Sequence, residues 1–104
     1  MGIQEILSMF NAPNTIPIKL DEKLVEYGEV YKFPILQNEI LEISLLNVGP
    51  KSKIRKHRHL EDSEVYFFIK EKIYSVCKKG GKHEIDNLSD EWIQVLSIKT
   101  KYSK

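Results

Sequence analysis

One cysteine, Cys77, occurs in 104 residues. An intramolecular disulfide is therefore excluded, and a reducing compartment is the natural expectation. Charge of one dominant sign is also missing: 16 Lys and Arg stand against 15 Asp and Glu, a formal net charge of +1. That balance gives the whole molecule no drive towards nucleic acid or an anionic membrane. No apolar run approaches the roughly 20 residues needed to span a bilayer. The first ten residues, M-G-I-Q-E-I-L-S-M-F, hold an acidic residue and no basic stretch, unlike a secretory leader. The expectation is a cytoplasmic protein with no membrane partner. Internal repeats and low-complexity tracts are absent as well.

What is present is the composition of a folding chain. Hydrophobic residues make up 41% and charged residues 30%, which suits one domain with a single core. An N-terminal extension, about residues 1–29, reads differently from the rest. Ile3, Ile6, Leu7 and Phe10 recur at helical spacing, so a short helix is expected over 3–10, ended by N-A-P-N. Asp21 is a plausible N-cap for a second helical turn running to Tyr27, which Gly28 breaks. From about 30 to 99 the texture is short β runs: E-V-Y-K-F-P-I, E-I-L-E-I-S-L-L-N-V, S-K-I-R-K-H-R-H, E-V-Y-F-F-I-K, K-I-Y-S-V-C, K-H-E-I-D-N and W-I-Q-V-L-S-I-K. Turn-like separators such as K-K-G-G lie between them, the pattern of an all-β sandwich or barrel. Residues 100–104 read as a solvated tail.

Only three histidines occur, and two of them are His57 and His59 in H-R-H-L-E-D-S-E. On a strand, residues two apart share a face, so both imidazoles point one way, as do Lys53 and Arg55. Glu64, Tyr66 and Phe68 share a face of the next strand, and His83, Ile85 and Asn87 share one further on. If those faces line one interior, three imidazoles and a carboxylate converge. That set suits one divalent transition metal (Fe, Mn, Ni, Zn or Co) and does not choose among them. Against this stands a plainer reading, a basic solvated hairpin built on Lys51, Lys53, Arg55, Lys56 and Arg58.

The spacing itself resembles a known family. Gly49 followed by His57, His59 and Glu64 looks like the first signature of the cupin superfamily, and Gly80, His83 and Asn87 match the spacing of the second. The resemblance covers about residues 39–99. It implies a single-domain cupin-like jelly-roll β-barrel with metal ligands at His57, His59, Glu64 and His83. The chain departs from the family pattern at Glu71 and Lys72, where glycines are usual, and at Lys78, where proline is usual. The segment between the two signatures is also short, as though a hairpin were deleted. That leaves strands needing cover from the N-terminal segment or a second subunit, so a homodimer is expected.

The remaining candidates are Tyr66, as a hydrogen-bond donor or acid towards a bound ligand, and Arg55, as a fork for a carboxylate or phosphate at the barrel mouth. Cys77 reads as a small buried apolar residue. The basic run 51–58 has no interleaved aromatics, and nucleic-acid binding is not expected. Two functional readings follow. One is a metal-dependent enzyme acting on a small molecule by dioxygen or Lewis-acid chemistry. The other is a non-catalytic module that binds or senses a small ligand or the metal. A barrel without metal, its histidines merely hydrogen-bonded, is the third possibility.

Overall fold

In the computed structural model the described residues are 2–58, 63–70, 73–77 and 82–100. They form one helix, α1 (Ile3–Met9), and nine strands: β1 (Ile18–Lys19), β2 (Val25–Tyr27), β3 (Val30–Gln37), β4 (Leu41–Val48), β5 (Lys53–Arg58), β6 (Ser63–Phe68), β7 (Ile73–Cys77), β8 (Lys82–Asp86) and β9 (Ile93–Thr100). The strands make two antiparallel sheets, a six-stranded one in the order β1-β3-β4-β9-β6-β7 and a three-stranded one in the order β2-β5-β8. No helix among the described residues is long and apolar enough to cross a membrane.

Alternation along the strands decides what lies between the sheets. Leu46 and Val48 of β4, Val30 of β3 and Val95 of β9 turn inward. They pack against Val25, Ile54 and Ile85 of the smaller sheet. The opposite face of the six-stranded sheet is covered too. Ile6 and Leu7 of α1 lie on Phe33 and Leu45, which have the other strand parity. With both faces covered, β4 is buried at five consecutive positions and loses the polar/apolar alternation of a half-exposed strand. Full burial of a side chain such as Leu7 stabilises by about 1.5–3 kcal/mol. Asn11 ends the helix in a left-handed conformation, φ 58°, which asparagine tolerates better than most residues.

Before residue 30 the chain departs from the sequence expectation. Asp21 does cap one turn: its side chain accepts from the Lys23 N–H at 2.9 Å, and its carbonyl accepts from Leu24 and Val25. The chain then leaves that turn for β2 instead of continuing as a helix. Val25 and Tyr27 are a β-branched and an aromatic residue, and pairing with β5 satisfies their backbone. Gly28, at φ 85°, turns the chain into β3. A Cβ there would lie 2.6 Å from the Ser52 Cα, so only glycine fits.

One end of the barrel is tied by a polar knot. The buried Asn87 donates from Nδ2 to the carbonyls of Val48 (3.2 Å), Gly49 (2.7 Å) and Glu91 (2.8 Å). Its backbone N–H donates to Ser52 O at 2.9 Å, and Ser52 Oγ accepts from the Glu29 N–H at 2.9 Å. The ends of β4 and β8 and the starts of β3, β5 and β9 are thus fixed together. Replacing Asn87 by alanine strands several buried carbonyls, so Asn87→Ala is expected to cost about 2–3 kcal/mol. In a chain of this size that is a fall in thermal midpoint of about 10 °C or more. Asp90→Ala is the control. It removes a 3.6 Å ion pair with Lys51 from a side chain that is 90% exposed, and its effect should be small on the same melting curves.

Candidate metal centre

The knot end of the interior is apolar and the other end is polar. Strand register explains why. Across the six-stranded sheet the inward rows are Leu46, Val95 and Phe68, then Ser44, Ser97 and Tyr66, then Glu42, Lys99 and Glu64. Opposite the last rows, β5 and β8 place His57 directly across from His83. A pocket of about 100 Å³ opens there, with His57, Glu64, Tyr66, Ser97, Lys99 and Glu42 in its wall.

His57, Glu64 and His83 each offer one ligand atom, and these three atoms lie within 4.8 Å of one another. His83 Nε2 is 3.0 Å from Glu64 Oε1. The two imidazole rings meet edge to face with centroids 4.2 Å apart. Donor atoms at about 2.0–2.2 Å from one ion sit roughly 3–3.5 Å apart, so a closure of up to roughly 1.5 Å brings all three onto a metal. Two imidazoles and a carboxylate are the nitrogen/oxygen set that divalent transition metals take, and the residues fit such an ion.

Two of the candidate ligands, Glu64 and His57, are also held from behind. Glu64 has a side chain only 6% exposed, and a buried carboxylate costs several kcal/mol unless donors surround it. Tyr66 donates its hydroxyl to Glu64 Oε1 at 2.9 Å, and Ser97 donates to Oε2 at 2.6 Å. These are charge-assisted bonds, and they fix the plane of the carboxylate. His57 Nδ1 lies 2.7 Å from the carbonyl oxygen of Arg55. A carbonyl only accepts, so Nδ1 carries the proton and Nε2 is the nitrogen with the lone pair in the neutral ring.

That carbonyl is available because β5 bulges. Ile54 pairs with Ile85 and His57 with His83, so three steps on β5 match two on β8. The extra residue puts Ile54 and His57 on one face, although an ideal strand would separate them. It also corrects the expectation that Arg55 shares a face with the histidines. Arg55 is half-exposed and turned away, 3.8 Å from Glu26 Oε1 and in the wall of a different hollow with Lys19, Glu22 and Tyr27. Lys53 reinforces that outer cluster. Its hydrogen bond to Glu26 holds the ammonium above the usual lysine range, with the Glu26 and Glu84 charges adding to the effect.

His59 and Gly80 lie outside the described residues, as does the tail from 101 onward. Sequence reasoning placed His57, Glu64, His83 and Tyr66 near one another, and the structure brings those four together. It missed Ser97, which lies in a β run that carries no motif residue, and the Arg55 carbonyl, which no side-chain pattern reveals. Ser97→Ala should leave the fold intact and weaken cobalt binding by about ten-fold or more, because the Glu64 carboxylate loses the bond that orients it. Competition against a chromophoric chelator measures this directly.

Comparison with known proteins adds the class. No protein-family model matches the sequence, and no curated protein matches it. Solved structures do match in architecture. A protein described as a predicted oxalate decarboxylase, from Thermotoga maritima, is 17% identical with a TM-score of 0.70, covering 86% of this chain and 95% of that one. The cupin domain of Cnp3 from Schizosaccharomyces pombe is 6% identical with a TM-score of 0.68, covering 82% and 69%. An RmlC-like cupin from Shewanella frigidimarina is 9% identical with a TM-score of 0.56, covering 86% of each chain. At these identities the likeness is one of fold. The chain has the cupin fold, an all-β jelly-roll of two antiparallel sheets with one short helix.

Proposed function

We propose that this chain is a small metal-dependent cupin that binds and transforms a small molecule in the pocket beside His57, Glu64 and His83. The observation that carries the reading is the convergence of those three ligand atoms within 4.8 Å, one from each of three strands and drawn from both sheets. His59, from the same signature, is the proposed fourth ligand. When bound, a divalent metal (Fe, Mn, Ni, Zn or Co) supplies Lewis acidity, or in the case of iron a means of activating dioxygen. The protein supplies the rest. Tyr66 and Ser97 hold the Glu64 carboxylate in place, and the Arg55 carbonyl sets the His57 tautomer. Leu20, Leu24, Leu46 and Ile54 give the pocket an apolar side that limits water.

Among the described residues of the pocket, no carboxylate stands apart as a general base. Glu64 is engaged by Tyr66, Ser97 and His83, and Glu42 forms a 3.1 Å ion pair with Lys32. That favours Lewis-acid or oxygen chemistry over base-driven isomerisation. It also supports a second reading, a non-catalytic module that holds a ligand at its metal. A neighbour in architecture is described as a predicted oxalate decarboxylase, which agrees with chemistry on a small molecule. Two copies of the chain are the proposed assembly, because an apolar groove lined by Ile6, Met9, Phe10, Phe67, Ile69 and Leu96 faces outward.

Elemental analysis of untagged protein tests the reading. Close to one transition metal per chain is expected, and a His57→Ala/His83→Ala double variant with an unchanged far-ultraviolet spectrum should carry almost none. Equal metal content in the two proteins, or none in the wild type after reconstitution, would sink the proposal.

A further inference from the structure

The pocket holds a cation that the metal site does not use. Lys99 lines the same wall as His57 and Glu64, is half-buried, and sits in register between Glu42 on β4 and Glu64 on β6. Cross-strand neighbours of opposite charge normally pair. Here both carboxylates are engaged elsewhere: Glu42 with Lys32 at 3.1 Å, and Glu64 with Tyr66, Ser97 and His83. Among the described residues Lys99 makes no ion pair and no side-chain hydrogen bond. A half-buried lysine in the wall that also carries Glu64 and His57 offers a site for an anion.

The charge count points the same way. Among the described residues that line it, Lys32, Lys99, Glu42 and Glu64 cancel, so a bound divalent ion adds net positive charge to that set. A cavity of about 100 Å³ has room for several waters, hence for a ligand of only a few carbon atoms. Resting on the metal reading above, we propose that Lys99 is a specificity-determining residue that selects small carboxylates. One carboxylate group meets the Lys99 ammonium, the remainder of the molecule reaches the metal position, and Leu20, Leu24 and Ile54 bound the short apolar part.

The test uses cobalt-loaded full-length protein titrated with malonate, acetate and the neutral analogue malonamide. Calorimetry and the visible band of the cobalt follow the binding. Malonate should bind the wild type and malonamide should not. In Lys99→Met, cobalt content should be unchanged while the malonate dissociation constant rises roughly ten- to a hundred-fold, the scale of one lost charge-assisted hydrogen bond. Lys99→Arg should restore most of the affinity. Equal malonate affinity in wild type and Lys99→Met, or malonamide binding as tightly as malonate, overturns the assignment. A wild type that takes up no cobalt overturns the metal reading alone. Calorimetry on the metal-free chain then decides the role of the lysine: malonate binding lost in Lys99→Met supports it, and no binding overturns it.

Discussion

The Glu64 carboxylate is the constraint from which the polar half of this barrel follows. Its side chain is 6% exposed, and a charge so placed must be surrounded by donors or the fold loses several kcal/mol. Tyr66 and Ser97 are register partners one row further in, on β6 and β9, and both aim hydroxyls at it. His83 reaches the same carboxylate from the other sheet at 3.0 Å. The two sheets are therefore joined at this end by a polar contact, where hydrophobic packing joins them elsewhere. Such a contact is short and buried. It sets where His83 must stand, and through the β5–β8 register it sets where His57 stands.

The opposite end of the molecule makes this possible. Asn87 and Ser52 lock the strand ends there, and the apolar rows around Val48, Val95 and Ile85 exclude water between the lock and the site. A barrel that was loose at both ends would not keep a carboxylate and two imidazoles near one another. The arrangement separates duties along the strands. The knot stabilises one end, and at the other Glu42, Glu64, Lys99 and His57 face a small cavity.

Much of this was legible in the sequence. Short β runs separated by turn residues gave the all-β architecture, and the spacing of His57, Glu64 and His83 pointed to one cluster drawn from three strands. What escaped has physical reasons. The β5 bulge arises from matching two strand registers, and K-I-R-K-H-R contains no glycine to announce it. Ideal alternation therefore put the Arg55 side chain beside the histidines, whereas the structure turns it outward and leaves only its carbonyl against His57. Ser97 and Lys99 lie in W-I-Q-V-L-S-I-K, where an apolar run conceals the inward polar positions. Only the pairing of β9 with both β4 and β6 shows which side they take. Residues 21–27 hold a true turn cap at Asp21, and the pull of the β5 edge overrides the local helical signal that follows it.

X-ray absorption at the K-edge of the bound metal tests the central claim most directly. The account predicts light nitrogen and oxygen scatterers at about 2.0–2.2 Å, with the multiple-scattering pattern of at least two imidazoles, and loss of one imidazole in His83→Ala. A metal surrounded by water and carboxylate oxygen alone, with a spectrum unchanged by that substitution, would contradict it. In that case the Glu64–His83 contact would be a buried polar contact that serves only the fold.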